Sequence, residues 1–121
     1  MKLKNRIAII TGGGKGIGAE LSLKLASEGA KIIIAEMDVP NGEITAKKIR
    51  ENNGEAIVIK TNVADEDSVN NMANEAINVF GKIDILINNA GTRHINNILD
   101  HTKQQWDDML SVNLTGPYLC C

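Results

Sequence analysis

The chain has 121 residues, with thirteen Lys and Arg against fifteen Asp and Glu, for a formal net charge of −2. That balance leaves no basic footprint for nucleic acid and no basic cluster for an anionic membrane, and three aromatics (Phe80, Trp106 and Tyr118) make no stacking platform for single strands. No apolar run nears the roughly 18 residues of a membrane span, and the adjacent Cys120 and Cys121 can neither close a loop nor follow metal-ligand spacing. Two small buried hydrophobes are the reading of those cysteines, and a reducing, cytoplasmic setting is the expectation.

The chain alternates short β-branched runs with amphipathic stretches, and its seventeen Ile make the core aliphatic. Ile7–Thr11 predicts the first strand. Thr11-Gly12-Gly13-Gly14-Lys15-Gly16-Ile17-Gly18 follows it and opens a helix whose Ile17, Leu21 and Leu25 fall on one face. A helix N-terminus carries unpaired N–H groups and partial positive charge, so it attracts phosphate. Glycines allow a tight turn and let the backbone approach a pyrophosphate closely. A Walker A loop is excluded, because no Gly-Lys-Ser/Thr stands at the required spacing.

Lys31–Ala35 predicts the second strand, with Glu36 at its end, twenty residues beyond Gly16. Pro40 suits the first turn of the next helix, which Gly54 stops. Ala56–Lys60 predicts the third strand, and Asn62-Val63 lie just beyond it. Asp65 caps a helix that buries Val69, Met72, Ala73, Ala76, Ile77 and Phe80, and Gly81 ends it. Ile83–Ile87 predicts the fourth strand, closing on Asn88-Asn89-Ala90-Gly91. Thr102-Lys103-Gln104-Gln105 is a capping box for a last helix carrying Trp106, Met109 and Leu110, which Pro117 kinks. This order predicts an α/β domain over residues 1–121, a Rossmann-type doubly wound parallel sheet in strand order 3-2-1-4, with the fourth strand presenting a hydrophobic edge.

In this βαβ setting the loop Gly12, Gly16, Ile17, Gly18 resembles that of the short-chain dehydrogenase/reductase family. Glu36, Asn62-Val63, Asn88-Asn89-Ala90-Gly91 and Asn113 match further family positions in the right order. The resemblance implies a dinucleotide site built from Thr11, Gly12, Lys15, Gly16, Ile17, Gly18, Glu36, Asn62, Val63, Asn88, Ala90 and Gly91. Glu36 would accept the adenosine ribose hydroxyls and repel an extra phosphate, which implies NAD over NADP, and Asp38 is placed to do the same work. The family has Asp where Asn62 stands, yet an Asn oxygen still accepts from adenine. Thr92 replaces a usual aliphatic residue after Gly91. Asn113 would serve the proton relay behind the catalytic groups. His94 and His101 read as exposed loop residues, with a pocket-lining role as the alternative, and Tyr118 reads as a packing aromatic.

The family's catalytic Ser and Tyr-x-x-x-Lys pair do not occur in the chain, and its pattern runs on apolar through Leu119-Cys120-Cys121. The resemblance therefore implies the cofactor-binding half of an enzyme that moves hydride between nicotinamide and a small carbonyl or alcohol substrate, with a homo-oligomer as its assembly and no metal. The expectation is a piece cut after the fourth strand and following helix, inactive and poorly stable alone. The competing reading is a non-catalytic dinucleotide-binding or interaction module complete at 121 residues. A flavodoxin-like regulatory domain is disfavoured, because the strand ends carry Gly, Glu and Asn rather than an acidic cluster.

Overall fold

The computed structural model describes residues 1–121. Four strands, β1 (Ile7–Thr11), β2 (Lys31–Glu36), β3 (Ala56–Lys60) and β4 (Ile85–Ile87), form one parallel sheet in the order β3-β2-β1-β4. Helices α1 (Gly16–Ser27), α2 (Val39–Glu51) and α3 (Glu66–Phe80) connect them. All of β1 is buried, as is β2 from Ile32 onward, which is why both read as continuous apolar runs. The core lies in two layers, one on each face of the sheet. Ile7, Ile9, Ile33 and Ile59 meet Val69, Met72 and Ala76 of α3 on one side. Ala8, Ile10, Ile32 and Ile34 meet Ala46 and Ile49 of α2 on the other.

The caps follow the sequence closely. Asp38 accepts from the Asn41 amide at the start of α2, and Asp65 accepts from the Asp67 amide at the start of α3. Gly81 ends α3 in the left-handed region at φ 80°. Thr102 and Gln105 complete the capping box of α4 (Lys103–Leu110). A π-helical turn at Ser111–Thr115 leads into α5 (Gly116–Cys120), so the irregularity expected at Pro117 is placed one turn earlier.

Several expectations are corrected. α1 buries Gly18 and Ser22, while Ile17 is 74% exposed. Gly18 lies tight against the glycine-loop turn, where a Cβ would meet the Gly12 carbonyl, while Leu23, Leu25 and Ala26 pack against the core. Ile77 also faces outward from α3. α2 ends at Glu51, before Gly54. Cys121 and Tyr118 are exposed rather than packed, whereas Leu119 and Cys120 lie against the core layer of α3. Burial raises the Cys120 thiol pKa, with Cys121 adding to the rise.

β4 begins at Ile85, not Ile83, and Asp84 is the reason. Its carboxylate accepts from the Ile7 amide at 2.8 Å, taking a bond that a strand carbonyl would otherwise receive. Lys82 and Arg6 approach the same carboxylate at 2.9 and 3.2 Å. The Ile7 amide first, then Lys82 and Arg6, hold its pKa down from an ordinary 3.8 to about 2. A depressed carboxylate stabilises the fold above its unfolded pKa and loses that contribution as pH falls through the folded one. Thermal melts should therefore show stability dropping between about pH 4 and pH 2. Asp84→Asn should melt lower at neutral pH and lose part of that acid dependence.

Candidate functional site

The C-terminal ends of all four strands open on one cleft of about 390 Å³. Gly12 and Lys15 border it from the loop after β1, and Glu36, Met37 and Asp38 from the segment after β2. Thr61, Asn62 and Val63 follow β3, and Asn89, Ala90, Gly91 and Thr92 follow β4. β2 and β4 flank β1 on opposite sides, so the strand order reverses here, and that is where open α/β sheets bind ligands.

The glycine loop is shaped for an anion. Of the helices with eight or more residues, α1 alone has no side-chain cap. The amides of Gly16, Ile17 and Gly18 donate to no carbonyl of the chain. No acidic residue stands in the first turn of α1. Gly16 sits at φ +56° beside open space, and a Cβ on Gly18 would run into the Gly12 carbonyl oxygen. Free N–H groups, the positive end of a helix dipole and a backbone open to close approach together fit a pyrophosphate.

The loop is fixed by a stitch between β1 and β4. The buried Thr11 hydroxyl accepts from the amides of Asn89 and Ala90, each at 3.0 Å. The Asn89 side chain donates back to the carbonyls of Thr11 and Gly12 at 3.1 and 3.2 Å. Asn88 is exposed, faces away from the cleft and donates to Cys121 Sγ at 3.5 Å. Of the two adjacent Asn, the family resemblance points to Asn88 as a site residue, and the structure brings Asn89 to the cleft. Alternation along an extended segment sends neighbours to opposite faces, and it would have separated the two once one was anchored.

Glu36 is 8% exposed. One of its carboxylate oxygens accepts from the Gly14 amide at 3.2 Å and the other from the Asp38 amide at 3.4 Å. Each oxygen keeps a lone pair for a hydroxyl donor. Asp38, the alternative ribose acid, has both carboxylate oxygens on Asn41, at 3.3 and 2.6 Å. Asn62 borders the cleft while its side-chain oxygen accepts from the Ala64 amide at 3.1 Å, so it forms the turn and keeps one lone pair free. Val63 is buried and packs under Gly116. Gly16 and Ile17 lie on the rim of a separate groove along α1, and Thr11 and Gly18 are buried supports.

Asn113 lies in the π turn. Its side chain accepts from the Thr92 amide and donates to the Thr92 carbonyl, both at 2.8 Å. It thus pairs with the segment after β4 as a strand would, holding Gly91 and Thr92 at the cleft wall. Neither histidine borders the cleft. His94 lies 3.9 Å from Asp108, and His101 bonds Asn96 at 2.7 Å.

The chain matches the short chain dehydrogenase family over residues 6–121. It is 39% identical over 118 residues to an uncharacterized oxidoreductase of Thermotoga maritima, covering 98% of this chain and 46% of that protein. It is 34% identical over 117 residues to the 3-oxoacyl-acyl-carrier-protein reductase of Staphylococcus epidermidis, covering 96% and 48%. A solved short-chain dehydrogenase/reductase variant from Serratia marcescens superposes with a TM-score of 0.94 at 30% identity, over 99% of this chain and 49% of that one. A dehydrogenase/reductase from Sinorhizobium meliloti gives 0.95 at 28% identity, over 98% and 48%. The chain spans about half the length of these relatives.

The two Asn should separate cleanly on substitution. Asn89→Ala strips partners from two backbone carbonyls and should lower stability by about 1–3 kcal/mol in denaturant titration. Asn88→Ala, at an exposed position, should stay within about 0.5 kcal/mol of the parent.

Proposed function

The chain belongs to the short-chain dehydrogenase family, whose members bind nicotinamide dinucleotides, and we propose that residues 1–121 are the NAD-binding part of an oxidoreductase acting on a small carbonyl or alcohol substrate. The observation that carries this reading is the uncapped start of α1, whose N-cap residue Lys15 borders the same cleft as Glu36. When bound, the dinucleotide supplies or accepts a hydride at its nicotinamide ring. The chain's own part is to bind and orient. The free amides of Gly16, Ile17 and Gly18 hold the pyrophosphate. Glu36 accepts the adenosine ribose hydroxyls, and its charge disfavours a phosphorylated ribose. Thr61, Asn62 and Val63 bound the adenine side, and Asn62 offers its remaining lone pair to the adenine amino group.

Gly12, Lys15, Ala90 and Gly91 form the floor and edge along which the dinucleotide would run toward Thr92. Asn113 holds that end of the cleft, and the unused donor and acceptor of its amide suit it to a relay of protons through water. No Tyr-x-x-x-Lys pair occurs in these 121 residues, so the proton donor for carbonyl reduction is not among them. No helix is long and apolar enough to cross a membrane.

Calorimetric titration with each dinucleotide tests the reading. NAD should bind more tightly than NADP, and Glu36→Ala should weaken NAD binding by about 1–3 kcal/mol, the scale of lost hydrogen bonds to a charged group. Tighter binding of NADP with Glu36 intact would overturn the assignment of that residue. Gly16→Val places a β-branched residue at a left-handed φ and a side chain in the pyrophosphate space. It should abolish binding while circular dichroism shows the helices retained, and unchanged affinity would remove the loop from the site.

A further inference from the structure

We infer that Gly14 sets the reach of Glu36, so that dinucleotide choice belongs to the Gly14–Glu36 pair rather than to Glu36 alone. The inference rests on the proposed NAD site. The observation is steric and local. A Cβ on Gly14 would lie 2.7 Å from Glu36 Oε1 and 2.9 Å from Glu36 Cγ, distances real Cβ atoms do not tolerate. The glutamate side chain therefore occupies the space that any other residue at position 14 would fill. Both partners are buried, and the Gly14 amide itself donates to Oε1.

Gly14 cannot yield by moving away. The Thr45 hydroxyl donates to its carbonyl at 3.0 Å, tying it to α2. The Gly42 amide nitrogen lies 2.8 Å from where the added Cβ would stand, closing the other side. A methyl group at position 14 must thus drive the Glu36 carboxylate off its two amide donors. The lone pairs aimed at a ribose diol then turn with it. An aspartate at position 36 keeps the Cγ that stands 2.9 Å from the added methyl group but has no atom at the place of Oε1, so it relieves the closer of the two contacts. Gly14 touches no ligand in this account; it is a positioning residue acting through Glu36.

A double-mutant cycle in the intact protein tests the pairing. The four proteins are wild type, Gly14→Ala, Glu36→Asp and the double variant, each titrated with NADH and with NADPH by fluorescence and each melted. Gly14→Ala should cut the preference for NADH over NADPH by about tenfold or more. The double variant should recover that ratio to within about threefold of wild type while its melting point stays low, because the contacts with Gly42 and with the Cγ of residue 36 persist. A purely structural role for Gly14 would lower stability and both affinities together and leave their ratio unmoved, which overturns the inference. A double variant no better than Gly14→Ala overturns it as well. Where Gly14→Ala does not fold, a folded double variant with NADH preference supports the pairing and a misfolded one refutes it. Wild type that binds neither dinucleotide removes the NAD site and the inference together. Wild type that prefers NADH, with Gly14→Ala equally selective, leaves the site standing and sinks the inference alone.

Discussion

The close approach of β1 and β4 at their C-terminal ends is the constraint on which the cleft depends. The two strands pair over only three residues, so the ladder alone holds them weakly. Asp84 pins the entry to β4 through the Ile7 amide, and Thr11 with Asn89 pins the exit. Between these clamps the strands have little freedom to splay. The exit clamp also takes the Gly12 carbonyl, so the same side chain that closes the sheet orients the first turn of the glycine loop. Gly18 then packs beneath that carbonyl, which seats the first turn of α1 against the glycine loop, with Lys15 at its head bordering the cleft.

Much of this was legible from sequence because the signals were local. Strands buried on both faces read as unbroken aliphatic runs, and β1 and β3 fall where those runs predict. The Asp65, Gly81 and Thr102-Gln105 caps follow from the chemistry of single residues against their own backbone. What was not legible depended on partners far along the chain. The truncation of β4 comes from a carboxylate 77 residues from the amide it occupies. The fully buried positions of α1 are Gly18 and Ser22, with Gly18 pressed against the Gly12 carbonyl, while Ile17 faces outward. Apolar periodicity cannot find a buried face made of small residues.

The site shows the same division. The glycine loop and Glu36 could be read from spacing, because both sit at fixed points of a βαβ unit. The choice between Asn88 and Asn89 could not, since the two have identical chemistry and differ only in direction. Asp38 and Glu36 were likewise equivalent as carboxylates on paper. They part in the structure because Asp38 caps α2 through Asn41, while Glu36 turns inward to the glycine loop.

Capping explains why those two acids cannot exchange roles. A helix start without a partner seeks an acceptor, and α2 takes the nearest carboxylate after β2 that its geometry reaches. That commits Asp38 to the start of α2, at the border of the cleft, and leaves Glu36 between two helix starts. On one side is the glycine loop leading into α1, and on the other the Asp38 amide at the entry to α2. α1, by contrast, keeps its N–H groups free because no acceptor side chain stands at Lys15 or in the first turn. The loop sequence withholds from α1 what α2, α3 and α4 receive from their own residues. An external anion is the group that best satisfies what is left open.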